Sequence, residues 1–408
     1  MLTDQPQNTR YLFLDMNSFF ARVEQQVQPT YRGQPVCITP YTGDSGCVIA
    51  ASYEAKAVGI KGGCRVGDAR KIYPKVVILP ARPALYRIYH EEIIKVAQKF
   101  SPFIKVMSID EFSIRLTGRD ANHQEGVKMA FGLKSALLRE VGDWLTCSIG
   151  LGPNQFLAKI AGELKKPDGL FEITIENLEE IYDKMVLTDI TGINLRMEKR
   201  LNHANIYTPL DFYRKSLPDL SRHFGILGKA WYYRLRGHEV DEIVSSTKSV
   251  GHSHVLAPEL RNRPGCKKVI LKLVEKTGYR LRKDNFWATQ IFLGIGFSGH
   301  VYWHKSKRIP PCHDNQQLIN HAMSLFDQSP TDYPFSIQFS TSGLIQNHIQ
   351  TISLFDDLQK PQNLSKAMDK INDKYGASTI HSAALTDNES IAPDRISFGK
   401  PRFDIRNF

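Results

Sequence analysis

Cysteines are few and form no pattern. Cys37, Cys47, Cys64, Cys147, Cys266 and Cys312 are scattered through 408 residues without a CxxC or comparable pair, which argues against structural zinc and for reduced thiols in a cytoplasmic protein. No run approaches the ~18 apolar residues of a membrane span. Residues 1–10 are polar and lack the apolar core of a secretory signal, so a cytoplasmic location with no membrane partner is expected. There is no internal repeat and no low-complexity tract, which excludes solenoids and disordered arrays. Acid is in deficit: 42 Asp and Glu stand against 53 Lys and Arg, a formal net charge of +11. That balance favours a polyanionic partner such as nucleic acid over an acidic small molecule. A chain of this length splits into several domains rather than growing one core.

Against that background, one acidic stretch stands out. Ser108-Ile109-Asp110-Glu111-Phe112 sets two adjacent carboxylates between runs with a period of two, Ile104, Val106 and Ser108 before them and Phe112, Ile114 and Leu116 after. This pattern predicts a half-buried β-hairpin. Burying a carboxylate is costly unless a cation compensates it, and two compensations compete here: a salt bridge to Lys or Arg, or divalent cations held by oxygen ligands. A third acid bears on the choice. Tyr11 to Leu14 is an apolar run ending in Asp15, followed by the polar Asn17-Ser18 and then by Phe20, Val23 and Val27 at helical spacing. A strand, an acid and a helix in that order place Asp15 at a strand's carboxyl end, where ligands gather in α/β sheets. If the two strands are neighbours, three carboxylates converge, enough to hold a pair of Mg²⁺ ions for phosphoryl transfer.

Between these acids, residues 21–80 are rich in Gly and Pro and read as a small subdomain of short strands and helices. Helices are predicted over Ala84–Phe100, with Leu85, Ile88, Tyr89, Ile93, Val96 and Phe100 inward, over the segment carrying Val127 to Val141, and over Asn154–Lys166, with Phe156, Leu157, Ile160, Ala161 and Leu164 inward. Leu145–Gly150 reads as a strand, so helices cover a mixed sheet. Leu187 to Leu201, with a glycine at 192, reads as two helices joined by a turn, able either to contact a phosphate or simply to pack. Residues 246–345 hold 13 basic and 6 acidic residues, most of the chain's excess charge. Val269–Leu281 is helix-like there and Phe286–Leu293 strand-like. Residues 346–408 are balanced, 8 basic to 8 acidic.

Four blocks carry a resemblance. Asp15 to Glu24, Ala51 to Lys56, Ser108 to Glu111, and Ala158 to Ala161 through Lys166 to Gly169 resemble, in order and spacing, the signature blocks of the Y-family translesion DNA polymerases. Gly46 to Ala50 with Glu54 to Ala57 is most similar to the catalytic subunit of bacterial polymerase V, and polymerase IV is similar as well. The likeness spans about residues 9 to 345. It implies an α/β and α+β multidomain fold, a right hand with a palm (1–20 and 81–174), fingers (21–80), a thumb with a helix-hairpin-helix-like turn (175–241), a DNA-binding little finger (246–345) and a C-terminal tail (346–408).

The activity implied is error-prone, template-directed DNA synthesis across damage, with no exonuclease module in sight. The implied metal ligands are Asp15, Asp110, Glu111 and the carbonyl of Met16, holding two Mg²⁺, with the three acids catalytic. Phe19, Phe20, Tyr53, Lys56 and Lys166 would face the deoxynucleoside triphosphate, Phe20 as the ring that excludes a ribose 2′-OH. From spacing alone Phe20 is a core aromatic and Lys56 a solvated charge. Gly192 and Asn194 would contact DNA, although Asn194 stands where the family usually has a second glycine. Gln350, Ile352, Leu354 and Phe355 resemble a sliding-clamp peptide; the same apolar residues could instead pack on their own domain, and Thr351 departs from the usual glutamine. Implied partners are primer-template DNA, deoxynucleotides, the clamp and SOS-type accessory subunits. Two rivals share these residues: a non-catalytic adapter that binds DNA and clamp, and a metal-dependent nuclease.

Overall fold

The computed structural model describes residues 9–240, 247–297, 299, 301–330, 333–346, 359–376 and 379–385. The expected clamp peptide, Gln350 to Phe355, lies outside them. The chain divides into two units, and the linker expected near Val244 falls at their boundary.

In the first unit everything is built on β1 (Tyr11–Met16), buried along its whole length because it carries two apolar faces. Leu12, Leu14 and Met16 join one core, with Phe112, Ile114, Ile149 and Leu151. Tyr11 and Phe13 point the other way and pack on Ala158. Asp15 belongs by alternation to this second face. The sheet runs β5 (Ile104–Val106), β6 (Glu111–Arg115), β1, β7 (Cys147–Gly152), β8 (Leu170–Glu172). β6 and β7 flank β1 antiparallel, and β8 is parallel to β7, so the sheet is mixed.

Helix α1 (Phe19–Val27) follows β1, and α4 (Pro83–Gln98) and α5 (His123–Glu140) also cover the first face. A three-stranded sheet, β2 (Val36–Thr39), β3 (Ala50–Ala51) and β4 (Val77–Pro80), with the short helices α2 (Tyr53–Ala57) and α3 (Val66–Ile72), has its own core of Cys37, Val48, Ala55, Ile60 and Ala69. On the second face lies α6 (Gln155–Leu164), which also joins the core of α7 (Leu178–Lys184), α8 (Leu195–His203), α9 (Pro209–Arg214) and α10 (Leu217–Arg234) around Tyr182, Phe212 and Trp231.

Three helices keep the expected inward face except at one residue each. In α4, Ile88 is 56% exposed, while Tyr86 and His90 are buried instead. A polar bond fixes each: the Tyr86 hydroxyl donates to Glu24 Oε1 at 2.8 Å, and His90 Nδ1 lies 2.7 Å from the Ile109 carbonyl. In α6, Leu164 is exposed and the small residues Ala158 and Gly162 face the sheet. Gly150 on β7 is the reason, because a Cβ there would lie 2.0 Å from the Ala158 carbonyl oxygen and 2.2 Å from the Gly162 nitrogen. Val27, at the end of α1, is also exposed.

The second unit is a four-stranded antiparallel sheet, β11 (Tyr302–Cys312), β10 (Phe286–Phe297), β12 (Pro334–Gln346), β9 (Ser249–Val255), whose apolar face packs on α11 (Arg263–Lys283) and α12 (Asn315–Phe326). Helix α13 (Gln359–Tyr375), within the stretch expected as a tail, also belongs to this unit. Arg282 of α11 grips Asp369 through two bonds of 2.6 and 2.9 Å, and Tyr279 donates to Asp373 at 2.6 Å.

Candidate active site

The register of the central sheet brings the acids together. Asp15 on β1 lies directly opposite Glu111 on β6, so both side chains leave on the face covered by α6. Asp110, in the turn before β6, is tied to the same strand end, because the Met16 amide donates to its carbonyl at 2.9 Å. The Ser108 hydroxyl donates to the Asp110 carboxylate.

Of the two compensations foreseen for these acids, the salt bridges are formed. Lys166 Nζ is 2.8 Å from Asp15 Oδ1 and 2.6 Å from Glu163 Oε1, and Lys159 Nζ is 2.7 Å from Glu111 Oε1. As they stand, no three His, Cys, Asp or Glu side chains among the described residues are gathered as a metal cage. Yet two lysines do not neutralise Asp15, Asp110, Glu111 and Glu163. Burial pushes the Asp15 carboxyl up to about 7; Lys166 pulls it down, but Glu163 and Asp110 add to the rise. Asp110 is also raised, first by burial and then by the charge of Glu111. Burial alone would lower Lys166, but Asp15 and Glu163 outweigh it and hold the ammonium above its ordinary value. Lys166 rises against its own burial because of the carboxylates around it, whereas the rise of Asp15 is first of all an effect of burial. A buried set of carboxylate oxygens with surplus negative charge is the donor set that hard divalent cations take.

Around the acids lie the remaining expected residues. Ser52 caps α2, its hydroxyl accepting from the Ala55 amide at 3.2 Å, and the helix presents Tyr53 and Lys56. The Lys56 ammonium sits 4.4 Å from the centre of the Tyr53 ring and donates to Ser18 Oγ at 2.9 Å. Burial and the charge of Lys166 lower its pKa, while Asp15 and Glu163 act in the opposite sense. Tyr53, Lys56, Lys166 and Asp15 therefore share one basin. Phe19 and Phe20 are both buried. Phe20 stacks on Tyr86 with ring centres 4.3 Å apart and planes 10° apart, so it has a core role whatever else it does.

Gly192 has φ +91°, the left-handed turn a glycine permits, and Asn194 caps α8, its side chain accepting from the Arg196 and Met197 amides at 3.1 and 2.9 Å. The cap uses the Asn194 carbonyl oxygen, which leaves the backbone amides of this turn and the Asn194 Nδ2 as the donors able to meet a phosphate. Three participants were not picked out from the sequence as site residues: Lys159, Glu163 and His90. Lys159 carried the clearest signal, a charge set among Leu157, Ala158, Ile160 and Ala161, all buried.

Two family models match the chain, the impB/mucB/samB family over residues 14–163 and that family's C-terminal domain over residues 247–354. DNA polymerase IV of Pelotomaculum thermopropionicum is 30% identical over 380 residues, covering 90% of this chain and 93% of its own. The chain belongs to the Y family of DNA polymerases. DNA polymerase IV of Moorella thermoacetica is also 30% identical, over 91% of this chain and 95% of its own. Among solved structures, a Y-family DNA polymerase chimera of Dbh and Dpo4 superposes with a TM-score of 0.69 at 26% identity, covering 83% of this chain and 99% of the chimera. This chain is thus a DNA-directed DNA polymerase of the translesion type, and the adapter reading finds no support. The relatives named here are polymerase IV, so the stronger likeness to polymerase V drawn from Gly46 to Ala57 gives way to polymerase IV. Helix α13 lies beyond the matched C-terminal domain.

Proposed function

We propose that Asp15, Asp110, Glu111 and the Met16 carbonyl of this Y-family polymerase hold two Mg²⁺ ions, and that the polymerase uses them to add deoxynucleotides to a primer opposite damaged template. The observation that carries this reading is the surplus of negative charge where β1 meets the acidic turn, left over after Lys159 and Lys166 have paired. When bound, the ions supply Lewis-acid stabilisation of the attacking and leaving oxygens of the transfer.

The chain's own residues supply position and charge. Tyr53, Lys56 and Lys166 are poised to pair with the triphosphate, Lys166 by exchanging Asp15 for phosphate oxygens, which accept charge-assisted bonds as well as a carboxylate does. Phe19 and Phe20 floor the sugar, with Phe20 excluding a 2′-OH. Catalysis in such a site is chiefly alignment of the primer oxygen with the α-phosphate and stabilisation of the charge that develops.

Residues 1–20 and 81–174 serve as palm, 21–80 as fingers and 175–241 as thumb, with backbone amides near Gly192 meeting a phosphate. Residues 246–345 act as the DNA-gripping little finger. The peptide Gln350, Ile352, Leu354, Phe355 engages a sliding clamp, and the polymerase works in the cytoplasm in an SOS-type damage response with accessory subunits. Primer extension with and without Mg²⁺, on templates carrying a panel of defined lesions, tests the central reading. The expected result is Mg²⁺-dependent lengthening past at least one lesion. A primer that shortens points to the nuclease, and an unchanged primer contradicts the reading.

A further inference from the structure

The two lysines on the acids are held very differently. Lys166 lies beyond the end of α6, divides its bonds between Asp15 and Glu163, and can leave either. Lys159 is in the middle of α6, and that helix is fixed at several points. Its first turn is capped by Asn154, whose Oδ1 accepts from the Leu157 amide at 2.7 Å while its Nδ2 donates to the carbonyls of Arg234 and His238, each at 2.9 Å. Its flank is pressed against the sheet where Gly150 leaves no room for a side chain. The Lys159 ammonium also sits 5.1 Å from the centre of the Phe13 ring, on the face of β1 that carries Asp15. From that root it takes Glu111 Oε1 at 2.7 Å. Among the described residues no hydrogen bond is made to Oε2.

We propose that Lys159 is a positioning residue of the nucleotidyl-transfer site: it holds Glu111 by one carboxylate oxygen so that the other is presented to the cation-binding cluster. The inference rests on the metal reading above. It differs in sign from the simplest alternative, that Lys159 is a counter-charge filling in for a cation. A counter-charge competes with the metal, so removing it tightens metal binding. A positioning residue restricts the carboxylate's rotamers in advance, so removing it weakens metal binding, typically by about 10- to 100-fold for a partner of a metal ligand. Lysine is well suited to the role because its ammonium can sit over the Phe13 ring and reach the acid at the same time.

The test uses the full chain bound to a primer-template with a dideoxy terminus and the next nucleotide, with Mn²⁺ binding followed by electron paramagnetic resonance. Lys159→Met is expected to weaken Mn²⁺ binding by about 10- to 100-fold. Lys159→Arg, which keeps a cation that can hold a carboxylate, should recover most of it. In turnover with Mg²⁺, kcat should fall while the nucleotide KM stays within about threefold of wild type, since Lys159 is not among the residues poised for the triphosphate. DNA affinity serves as the folding control, and Lys159→Gln replaces the methionine variant if the latter does not fold. Tighter or unchanged Mn²⁺ binding in the folded variant overturns the proposal, as does failure of Lys159→Arg to recover it. Wild-type Mn²⁺ binding that Asp110→Asn leaves untouched overturns the metal reading and this inference together. Sensitivity to Asp110→Asn without sensitivity at Lys159 overturns the inference alone.

Discussion

The two units of this polymerase are built alike and use charge in opposite ways. Each has an antiparallel or mostly antiparallel sheet with helices packed on it. In the first unit, Asp15, at 9% exposed, meets Asp110 and Glu111 at a strand end and draws in two lysines, so ionisable groups sit where water is scarce. In the second, the open face of the sheet sets Gly296 opposite Ser336, Gly294 opposite Gln338 and Phe292 opposite Ser340, and three cations, Lys305, Lys307 and Arg308, lie exposed on an edge strand. Buried charge is costly and has to be matched to a specific ligand or partner, whereas exposed charge is screened and acts as a field. The first arrangement suits chemistry and the second suits holding a polyanion regardless of its sequence.

The contrast can be broken in four places. The largest effect is expected at the clamp peptide. Leu354→Ala with Phe355→Ala should remove the whole clamp-dependent gain in synthesis, about a hundredfold or more where tethering sets the local concentration, and leave clamp-free extension intact. Loss of both activities in a processivity assay would mean that these residues belong to a core.

Next comes Phe20. Its stacking on Tyr86 predicts a stability cost for Phe20→Ala of about 3 to 5 kcal/mol. The sugar-gate role adds a rise in ribonucleotide incorporation of about tenfold, roughly 1.4 kcal/mol of lost discrimination. Single-nucleotide insertion kinetics with matched ribo- and deoxynucleotides separate the two, since a pure core residue lowers stability and leaves sugar choice unchanged.

A smaller change is expected on the edge strand. Lys305→Gln, Lys307→Gln and Arg308→Gln together should flatten the salt dependence of DNA binding by about 0.9 in log–log slope for each phosphate no longer neutralised. If those cations only guard an open strand edge, the triple variant will aggregate while the slope stays as it was.

The mildest effect is at His313, a buried titratable ring of the second unit. Its ring centre lies 3.8 Å from that of Trp287 with the planes tilted by 36°, and neither ring nitrogen has a hydrogen-bond partner among the described residues. Burial, with the charges of Arg282 and Lys366, pushes it down to about 4, against Asp314 and Asp369 acting the other way. With the folded value below the ordinary 6.5, the unfolded chain binds the proton more tightly. Stability contributed by the neutral ring is therefore complete above about pH 6.5 and drains away as pH falls towards 4. Denaturant unfolding at about pH 7 and pH 5 should show wild type losing about 2 kcal/mol more than His313→Phe between the two. Equal losses would mean that the ring finds a proton acceptor in the folded state.

Much of this was legible in the sequence, for identifiable reasons. The unbroken apolar run before Asp15 and the period-two runs around Asp110-Glu111 report burial directly, while the neighbouring of their strands, a condition in the sequence, is supplied by the register of β1 with β6. What stayed hidden depends on contacts between distant segments. In α4 the apolar pattern places Leu85, Tyr89, Ile93, Val96 and Phe100 correctly and Ile88 wrongly, because Tyr86 and His90 are held inward by Glu24 and the Ile109 carbonyl, partners 62 and 19 residues away in the chain. The pairing of Lys159 with Glu111 spans 48 residues and has no local signature beyond a charge set among buried apolar neighbours. Docking of α13 on Arg282 was hidden in the same way, because a balanced charge count over residues 346–408 says nothing about which acid meets which base.

The most direct measurement is a paired one on Asp110→Ala: primer extension, and affinity for the same primer-template. If the acids are cation ligands rather than DNA contacts, nucleotide addition disappears while DNA affinity stays within about threefold, because no phosphate-binding cation has been removed. Extension at near the wild-type rate would contradict the metal assignment, and a parallel collapse of DNA binding would mean that Asp110 serves the structure rather than the chemistry.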